Sequence, residues 1–445
     1  MSAKGEQQSL LAESETRAPA QEFEGREEAT TGLRLKRAQR EQRRLVTQSL
    51  DDELEKDHLA RLIWAMTGEL ELSSIYRKIG SRGSNAGAPA IDPRITLVLW
   101  IYATIKGEGS AREIARLCEE HVAYRWIRGG VPVRAHHLSD FRSANGHVFC
   151  NLITQVVAVL LKNGLCDLAR YAQDGTRVRA SAGAASFRRE ASLAELRVEA
   201  AKHLEEVLRE GEDAGLSAVR RAARERGARD RLARVDAALA QLAEVQATKA
   251  RHRDAAPPRV STTDAEARVM KRGDGGFRPA YNAQFATTCD PAKVIVGVEV
   301  TNFGTDQGAA EPMLEQIEQR FGVKPTELLV DGGYLANDSL DALAAKDVLT
   351  YAPLKKAQPG QRPPEEPRAS DSPAVAEWRA RMQTPEAKEI YKQRAATAEL
   401  VNADGKGHRG LDHVPIRSVE KAFSFVALFA LSYNILRTIS LLRGM

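Results

Sequence analysis

The spacing of apolar residues divides the chain into segments of different character. Residues 1–44 are rich in Glu, Ser, Gln and Ala, and they carry too few large apolar side chains to offset the entropy cost of ordering. Residues 45–165 show the spacing of helices, and Ser110 with Glu113 forms a capping box at the start of one of them. We therefore predict a disordered leader over residues 1–44 and an all-α N-terminal domain over residues 45–165.

Strand and helix patterns alternate in residues 166–445, which predicts an α/β domain with a mixed sheet. Its first strand falls near residues 173–181, and two β-rich runs between residues 277 and 301 are separated by the turn signal Asp290-Pro291. Two segments inside this region do not follow the alternation of strands and helices. Residues 184–253 have helical spacing and predict an inserted two-helix hairpin, whereas the Pro-rich start of residues 353–383 predicts a linker.

Composition narrows the environment but does not identify a partner. The 65 Lys and Arg residues against 60 Asp and Glu residues leave a net charge of +5, so DNA binding has to be argued from local clusters. The four cysteines are scattered, which fits a reducing cytoplasm and argues against a structural zinc site. Residues 422–436 are apolar but shorter than the ~20 residues of a membrane span, so we expect a buried helix and no membrane insertion.

Basic residues occur in two helical regions. The N-terminal region fits either a helix-turn-helix, whose second helix enters the major groove, or an ordinary helical bundle. Arg125 and Arg128 are its candidate DNA contacts. In the inserted hairpin, the basic run at residues 220–229 is either a solvated helix face or a second phosphate-binding surface. Both alternatives remain open at the level of sequence.

Three acidic residues are the candidates for chemistry. Asp174 and Asp331 each end a β-prone run and are followed directly by Gly, and Glu399 lies on a predicted helix over residues 385–402. An isolated Asp-Gly is usually a turn, but three carboxylates brought together would suit a hard divalent cation. Glu389 and Glu420 are the alternatives for the third acid. If the helix continued past Gly405, Lys406 would share a face with Glu399.

At this point the chain resembles the DDE transposases of bacterial insertion sequences, most closely the family numbered eleven-eighty-two, which is related to the IS-four and IS-five types. The resemblance runs from about residue 54 to the C-terminus. It rests on several stretches together: Ser139-Asp-Phe-Arg, Asp174-Gly-Thr-Arg-Val-Arg-Ala, Phe277-Arg-Pro-Ala-Tyr-Asn-Ala-Gln, Val330-Asp-Gly-Gly-Tyr and Tyr391-Lys-Gln-Arg-Ala-Ala-Thr-Ala-Glu.

The resemblance implies a ribonuclease-H-like catalytic domain whose metal-binding catalytic triad is Asp174, Asp331 and Glu399. The implied cofactor is a pair of Mg²⁺ ions, for which Mn²⁺ can substitute. A related pattern of Tyr, Arg, Glu and Lys matches Tyr391, Arg394, Glu399 and Lys406, with four residues instead of three between Arg and Glu. The candidate DNA contacts of this domain are Arg177, Arg394 and Lys406.

The implied activity is metal-dependent cleavage at the ends of an insertion sequence, followed by transfer of the freed 3′-hydroxyl into target DNA. The implied partners are the terminal inverted repeats, the target DNA and further copies of the chain, in a homodimer or a higher synaptic assembly. The implied location is the cytoplasm, in association with the nucleoid. The alternatives are a nuclease of the same fold and an inactive or repurposed DNA-binding protein.

Overall fold

The computed structural model describes residues 47–81, 88–210, 217–251, 256–354, 363 and 366–443. The predicted leader lies outside these ranges, as does the part of the predicted linker at residues 355–362 and 364–365. The described residues from Leu50 onward belong to one compact unit.

Seven helices open this unit. The Asp92 carboxylate accepts a hydrogen bond from the Arg94 amide and Pro93 occupies the first turn, so a helix begins there. The Ser110 hydroxyl caps the next helix through the Glu113 amide at 3.3 Å, as the capping box predicts. The helices are α1 (Leu59–Gly68), α2 (Ser73–Tyr76), α3 (Pro93–Ile105), α4 (Ala111–Glu120), α5 (Val122–Arg128), α6 (Ala135–Ala144) and α7 (Gly146–Lys162).

The main sheet is mixed and is built around its first strand. Strand β1 (Arg170–Arg179) pairs antiparallel with β5 (Phe277–Thr288) and parallel with β7 (Glu327–Leu329). Beyond β7 lies the parallel β8 (Leu349–Tyr351), and β5 also pairs antiparallel with β4 (Arg268–Lys271) and β6 (Ile295–Thr301). Strand β1 therefore has a partner on each side, which fixes the residues it carries.

The segment after β1 contains two long helices, α8 (Glu190–Glu210) and α9 (Ala218–Arg251). They enclose a small apolar cluster of their own, which includes Leu193, Val235 and Leu242. Two short strands, β2 (Phe187–Arg188) and β3 (Val260–Ser261), pair antiparallel where the hairpin leaves and rejoins the sheet.

The chain after β6 supplies the remaining helices. They are α10 (Ala310–Phe321), α11 (Asn337–Ala345), α12 (Pro373–Gln383), α13 (Pro385–Lys392), α14 (Leu400–His408) and α15 (Val419–Arg443). The prediction of a linker over residues 353–383 is wrong for its last eleven residues, which form helix α12. The Ser372 hydroxyl accepts the Val375 amide and Pro373 stands in the first turn, so the local signals start a helix despite the Pro-rich segment before it.

Helix α15 joins the N-terminal helices to the sheet. It packs against α7, α3 and β6, and one continuous hydrophobic core extends from the first helices to the sheet. The Asn434 side chain accepts the Ile295 amide at 2.8 Å and donates to the Ile295 carbonyl at 2.7 Å, so it satisfies backbone groups of β6. The helical region and the sheet thus share one body, and their functional division at residue 165 stays a prediction.

The length of α15 differs from the prediction. The apolar segment belongs to a helix of 25 residues, long and apolar enough to span a membrane by length and composition, and the bent pair α6 and α7 passes the same test. In α15, 72% of the apolar window is buried inside the protein. Such burial is typical of a core helix, as predicted, but the helix is not shorter than a membrane span as the apolar segment alone had indicated.

Candidate active site

Asp174 lies near the middle of β1, with only 16% of its side chain exposed. Its Oδ1 accepts a hydrogen bond from Nη2 of Arg394 and its Oδ2 accepts one from Nδ2 of Asn402, both at 2.8 Å. Burial raises the pKa of Asp174 and the charge of Asp331 raises it further, whereas Arg394 and Asn402 oppose these effects. The two hydrogen bonds fix both oxygens of a carboxylate that is costly to ionise.

Arg394 also binds the third predicted acid. Its Nη1 donates to Oε1 of Glu399 at 2.8 Å, so one guanidinium bridges Asp174 and Glu399. The side chain of Arg394 is 11% exposed, and that of Glu399 is 54% exposed. A side chain from a helical segment thus connects the acid of the central strand to an acid that faces solvent.

A π-helical turn, Ala395–Glu399, explains how Arg394 and Glu399 meet. Residues five apart in an α-helix do not face each other, but in a π turn the backbone bonds run from residue i to i+5, so the extra residue is absorbed. The Thr397 hydroxyl donates to the carbonyl oxygens of Gln393 and Arg394, at 2.8 and 3.1 Å. The fourth residue between Arg394 and Glu399 therefore does not prevent their contact. The predicted continuous helix over residues 385–402 is interrupted at this turn.

Asp331 follows β7, the strand next to β1. Ala172 pairs with Leu329 in parallel register, so Asp174 and Asp331, each two residues further on, lie side by side. Asp331 follows its strand, but Asp174 lies inside β1 and not at a strand end as the Asp-Gly signal predicts, because pairing with β5 continues to Arg179. The Oδ1 of Asp331 accepts the Gly333 amide at 2.7 Å. The negative charge of Asp331 also raises the pKa of Asp174.

Lys406 and Tyr391 complete the surroundings of the acids. The helix does continue beyond Gly405, because α14 extends to His408, and Lys406 lies seven residues after Glu399 on the same face. Burial lowers the pKa of Lys406, and the nearby charge of Asp174 acts in the opposite direction. Burial raises the pKa of Tyr391. The charge of Arg394 lowers this pKa, and the charges of Asp331, Glu399 and Asp174 raise it.

Arg177 belongs to a second polar group, on the other side of β1. Because alternate residues of a strand face opposite ways, Arg177 and Gly175 face away from Asp174. Arg177 donates to both oxygens of Asp306 at 2.9 and 3.1 Å, and Asn282 and Gln284 donate to Oδ1 of Asp306 at 2.8 and 2.6 Å. The predicted DNA contact Arg177 is therefore engaged with an acid, with 15% of each side chain exposed.

The other predicted residues lie apart from the acids. On α5, Arg125 pairs with Glu53, and Arg128 donates to both oxygens of Glu119 at 2.7 Å. Of the two alternative third acids, Glu389 pairs with Lys392 in solvent, at 72% exposure for both side chains, and Glu420 is exposed at the start of α15. Neither of these glutamates contacts Arg394 or Asp174 in the hydrogen bonds of the described residues.

Carboxylate oxygens are ligands that a divalent cation prefers, but the three acids are not arranged around a common point as metal ligands are. Among the described residues, no three His, Cys, Asp or Glu side chains are close enough together to hold an ion. Arg394 separates Asp174 from Glu399, so a positive charge already stands between two hard oxygen donors. The Oδ1 of Asn402 is buried without a partner beside them, a further oxygen that a cation could use.

Two residues of this site, Asn402 and Asp306, are not among those predicted from the sequence. Asn402 had a signal, because it lies three residues after Glu399 and hence on the same helical face. Asp306 had none, because its role depends on the pairing of β1 with β5 and on the loop after β6, which no local spacing encodes.

Comparison with known protein families identifies two regions of the chain. Residues 48–144 match a transposase domain (DUF772), and residues 245–435 match the transposase DDE domain. Together the two regions cover more than half of the chain. Neither the curated proteins nor the solved structures compared with the chain gave a match. The chain belongs to the DDE transposases of the insertion-sequence type, enzymes that cleave DNA and transfer its strands.

Proposed function

We propose that Asp174, Asp331 and Glu399 are the catalytic acids with which this transposase cleaves the ends of its own element and transfers the 3′-hydroxyl into target DNA. The observation that carries the proposal is the bridge made by Arg394, which joins Asp174 to Glu399 through two hydrogen bonds of 2.8 Å. The register of β1 and β7 supports the inclusion of Asp331.

The three carboxylates are the residues that would hold Mg²⁺, or Mn²⁺ in its place. A pair of bound ions supplies activation of the attacking water or hydroxyl and stabilisation of the leaving oxygen. The chain itself contributes the orientation of the acids: Asn402 and Arg394 fix Asp174, and the Gly333 amide fixes Asp331. Lys406, two helical turns after Glu399, is suited to bind a phosphate beside them.

A ribonuclease-H-like fold is consistent with the sheet. Its strands run in the order β4, β5, β1, β7 and β8, with β6 also paired to β5, and β1 is antiparallel to β5 and parallel to β7. Asp174 lies on the first of these strands along the chain, Asp331 follows the fifth, β7, and Glu399 belongs to a later helical segment. The family resemblance implies the first Asp on the first strand, the second just after the fourth and the Glu on a following helix, and the present order supports the proposal apart from the additional short strand β4.

The partners in this proposal are the terminal inverted repeats, the target DNA and further copies of the chain in a dimer or higher synaptic assembly. Arg394 and Lys406 are proposed to bind phosphate at the acids, whereas Arg177, Arg125 and Arg128 would have to exchange their acidic partners for DNA. Assignment to the family numbered eleven-eighty-two and a cytoplasmic, nucleoid-associated location belong to the same proposal.

The test separates cleavage from binding. Asp174→Asn, Asp331→Asn and Glu399→Gln are each assayed for cleavage of DNA that carries the element's ends, and for gel shift of the same DNA without Mg²⁺. We expect each change to lower cleavage at least ~100-fold while binding stays, because binding rests on Lys and Arg contacts to phosphates. Glu389→Gln, on the neighbouring helix, is the control and should cleave normally.

Loss of binding in parallel with cleavage would assign the acids a structural role. Full cleavage by the Glu399→Gln variant together with a defect in the Glu389→Gln variant would move the third acid to Glu389. Cleavage without joining of the freed end to a plasmid would support the nuclease alternative.

A further inference from the structure

Arg394 occupies an unusual place for a DNA-binding side chain. Its two terminal nitrogens are committed to carboxylates, Nη1 to Glu399 and Nη2 to Asp174. The side chain is 11% exposed, so it is enclosed among the acids and does not extend into solvent. A guanidinium is permanently charged, so the cluster is partly neutralised even when no other cation is near.

The arrangement leaves one donor of Arg394 unused. Its Nε is buried and has no hydrogen-bond partner among the described residues. A buried N–H without an acceptor is unfavourable, so a conformation that gave Nε an acceptor would be stabilised. A phosphate accepts two parallel hydrogen bonds from the edge of a guanidinium. Lys406 lies two helical turns after Glu399 on the same face, so its positive charge favours a phosphate on this side of the acids.

We propose that Arg394 holds the position of a cation between Asp174 and Glu399 in the DNA-free enzyme, and that a DNA phosphate draws its guanidinium away. Divalent metal then binds tightly only after DNA has bound. The proposal rests on the proposed function, since it takes these carboxylates as the metal ligands. It adds that Arg394 is a positioning residue that couples metal binding to DNA binding.

The physical basis is competition for the same oxygens. Asp174 Oδ1 and Glu399 Oε1 each accept a hydrogen bond from Arg394, and a divalent ion between them would meet the guanidinium at short range. Like charges a few ångströms apart in a partly buried site repel strongly. DNA therefore favours metal binding if it removes the competitor, and by linkage metal favours DNA binding to the same extent.

The experiment measures Mn²⁺ binding to the full chain by calorimetry, without DNA. We expect Arg394→Gln to bind Mn²⁺ roughly tenfold or more tightly than the unmodified protein, because the competing charge is gone. Arg170→Gln is the matched control: it removes a cation from β1, the strand of Asp174, but Arg170 contacts Glu327 and Gln393 and not the three acids. Its Mn²⁺ affinity should stay within about twofold of the unmodified protein.

Unchanged or weaker Mn²⁺ binding by folded Arg394→Gln would overturn the proposal. If this variant does not fold, Arg394→Lys retains the charge while its single ammonium cannot span both carboxylates, and tighter binding is still expected, to a smaller degree. Equal affinity of Arg394→Lys and the unmodified protein would then overturn it.

A double variant distinguishes the coupling from the proposed function. Adding Asp174→Asn to Arg394→Gln should abolish the gained Mn²⁺ affinity. If the gain persisted, the metal would be bound elsewhere and the assignment of the acids would fail. If Asp174→Asn alone abolished cleavage while Arg394→Gln left Mn²⁺ binding unchanged, the acids would stand and the coupling would be refuted.

Discussion

Gly175 offers a sharp test of the way the fold supports the acids. It directly follows Asp174 on β1 and pairs with Gln284 of β5. A Cβ atom at this position would lie 2.3 Å from Oδ1 of Asp306 and 2.2 Å from Nε2 of Gln284. Both atoms are hydrogen-bonded to each other, so neither can give way without loss of their contact.

The cost of Gly175→Ala follows from these contacts. Forcing one methyl group into a packed site costs about 1–3 kcal/mol, and weakening a hydrogen bond to a charged group adds about 1.5–3 kcal/mol. Partial relaxation should reduce the sum, so we expect the free energy of unfolding to fall by about 2–4 kcal/mol. Displacement of β1 should also shift Asp174 and lower DNA cleavage at least ~10-fold.

Urea denaturation measures the first effect and cleavage of element-end DNA the second. Gly183→Ala is the matched control, because Gly183 has extended backbone angles and nothing lies within 4 Å of a Cβ built there. This control should change the free energy of unfolding by less than about 0.5 kcal/mol. A change equally small for Gly175→Ala, with normal cleavage, would refute the idea that the Asp306 group supports β1.

Three further predictions address other contacts. Asn402→Ala removes the amide that donates to Asp174 and should lower cleavage ~10-fold without loss of DNA binding in a gel shift, and equal loss of both would contradict its orienting role. Asn434→Ala leaves the Ile295 amide and carbonyl buried without their partner and should cost about 2–4 kcal/mol in urea denaturation, whereas a cost near zero would mean that β6 does not need this contact. Burial, with a contribution from His136, lowers the pKa of His137, so the stability it contributes is present above its unfolded pKa of about 6.5 and is lost as pH falls through the folded value. His137→Gln should therefore flatten the fall in melting temperature below about pH 6.5, and an unchanged pH profile would exclude His137 as its source.

The strands and the neighbouring positions of two candidate acids could be predicted because local signals coincide there. An apolar run that ends in Asp-Gly marks Asp174 and Asp331, and their juxtaposition follows from parallel pairing of β1 with β7. The position of Glu399 relative to Arg394 could not be predicted. A π turn has no distinct periodic signature, so the additional residue appeared as a departure from the pattern.

The contacts of Asp306 and the burial of α15 could not be predicted, because they depend on residues far apart in the sequence. Asp306 acquires its four hydrogen bonds only through the register of β1 with β5, and α15 acquires its burial only because α7 and β6 cover it. Helix α12 was not predicted because the Pro-rich segment before it indicated a linker. Its Ser-Pro start is nevertheless a helix signal. Composition over a long window thus obscured a short capping motif.

Iron-mediated backbone cleavage tests the central claim most directly. Fe²⁺ substituted for Mg²⁺ in the presence of element-end DNA, followed by peroxide and ascorbate, generates radicals that cut the chain beside the bound ion. The account predicts cuts near Asp174, Asp331 and Glu399 in the same sample, and their joint loss in the Asp174→Ala variant. Cuts near Glu389 or Glu420 in place of Glu399, or cuts at Asp174 without any at Asp331, would contradict it.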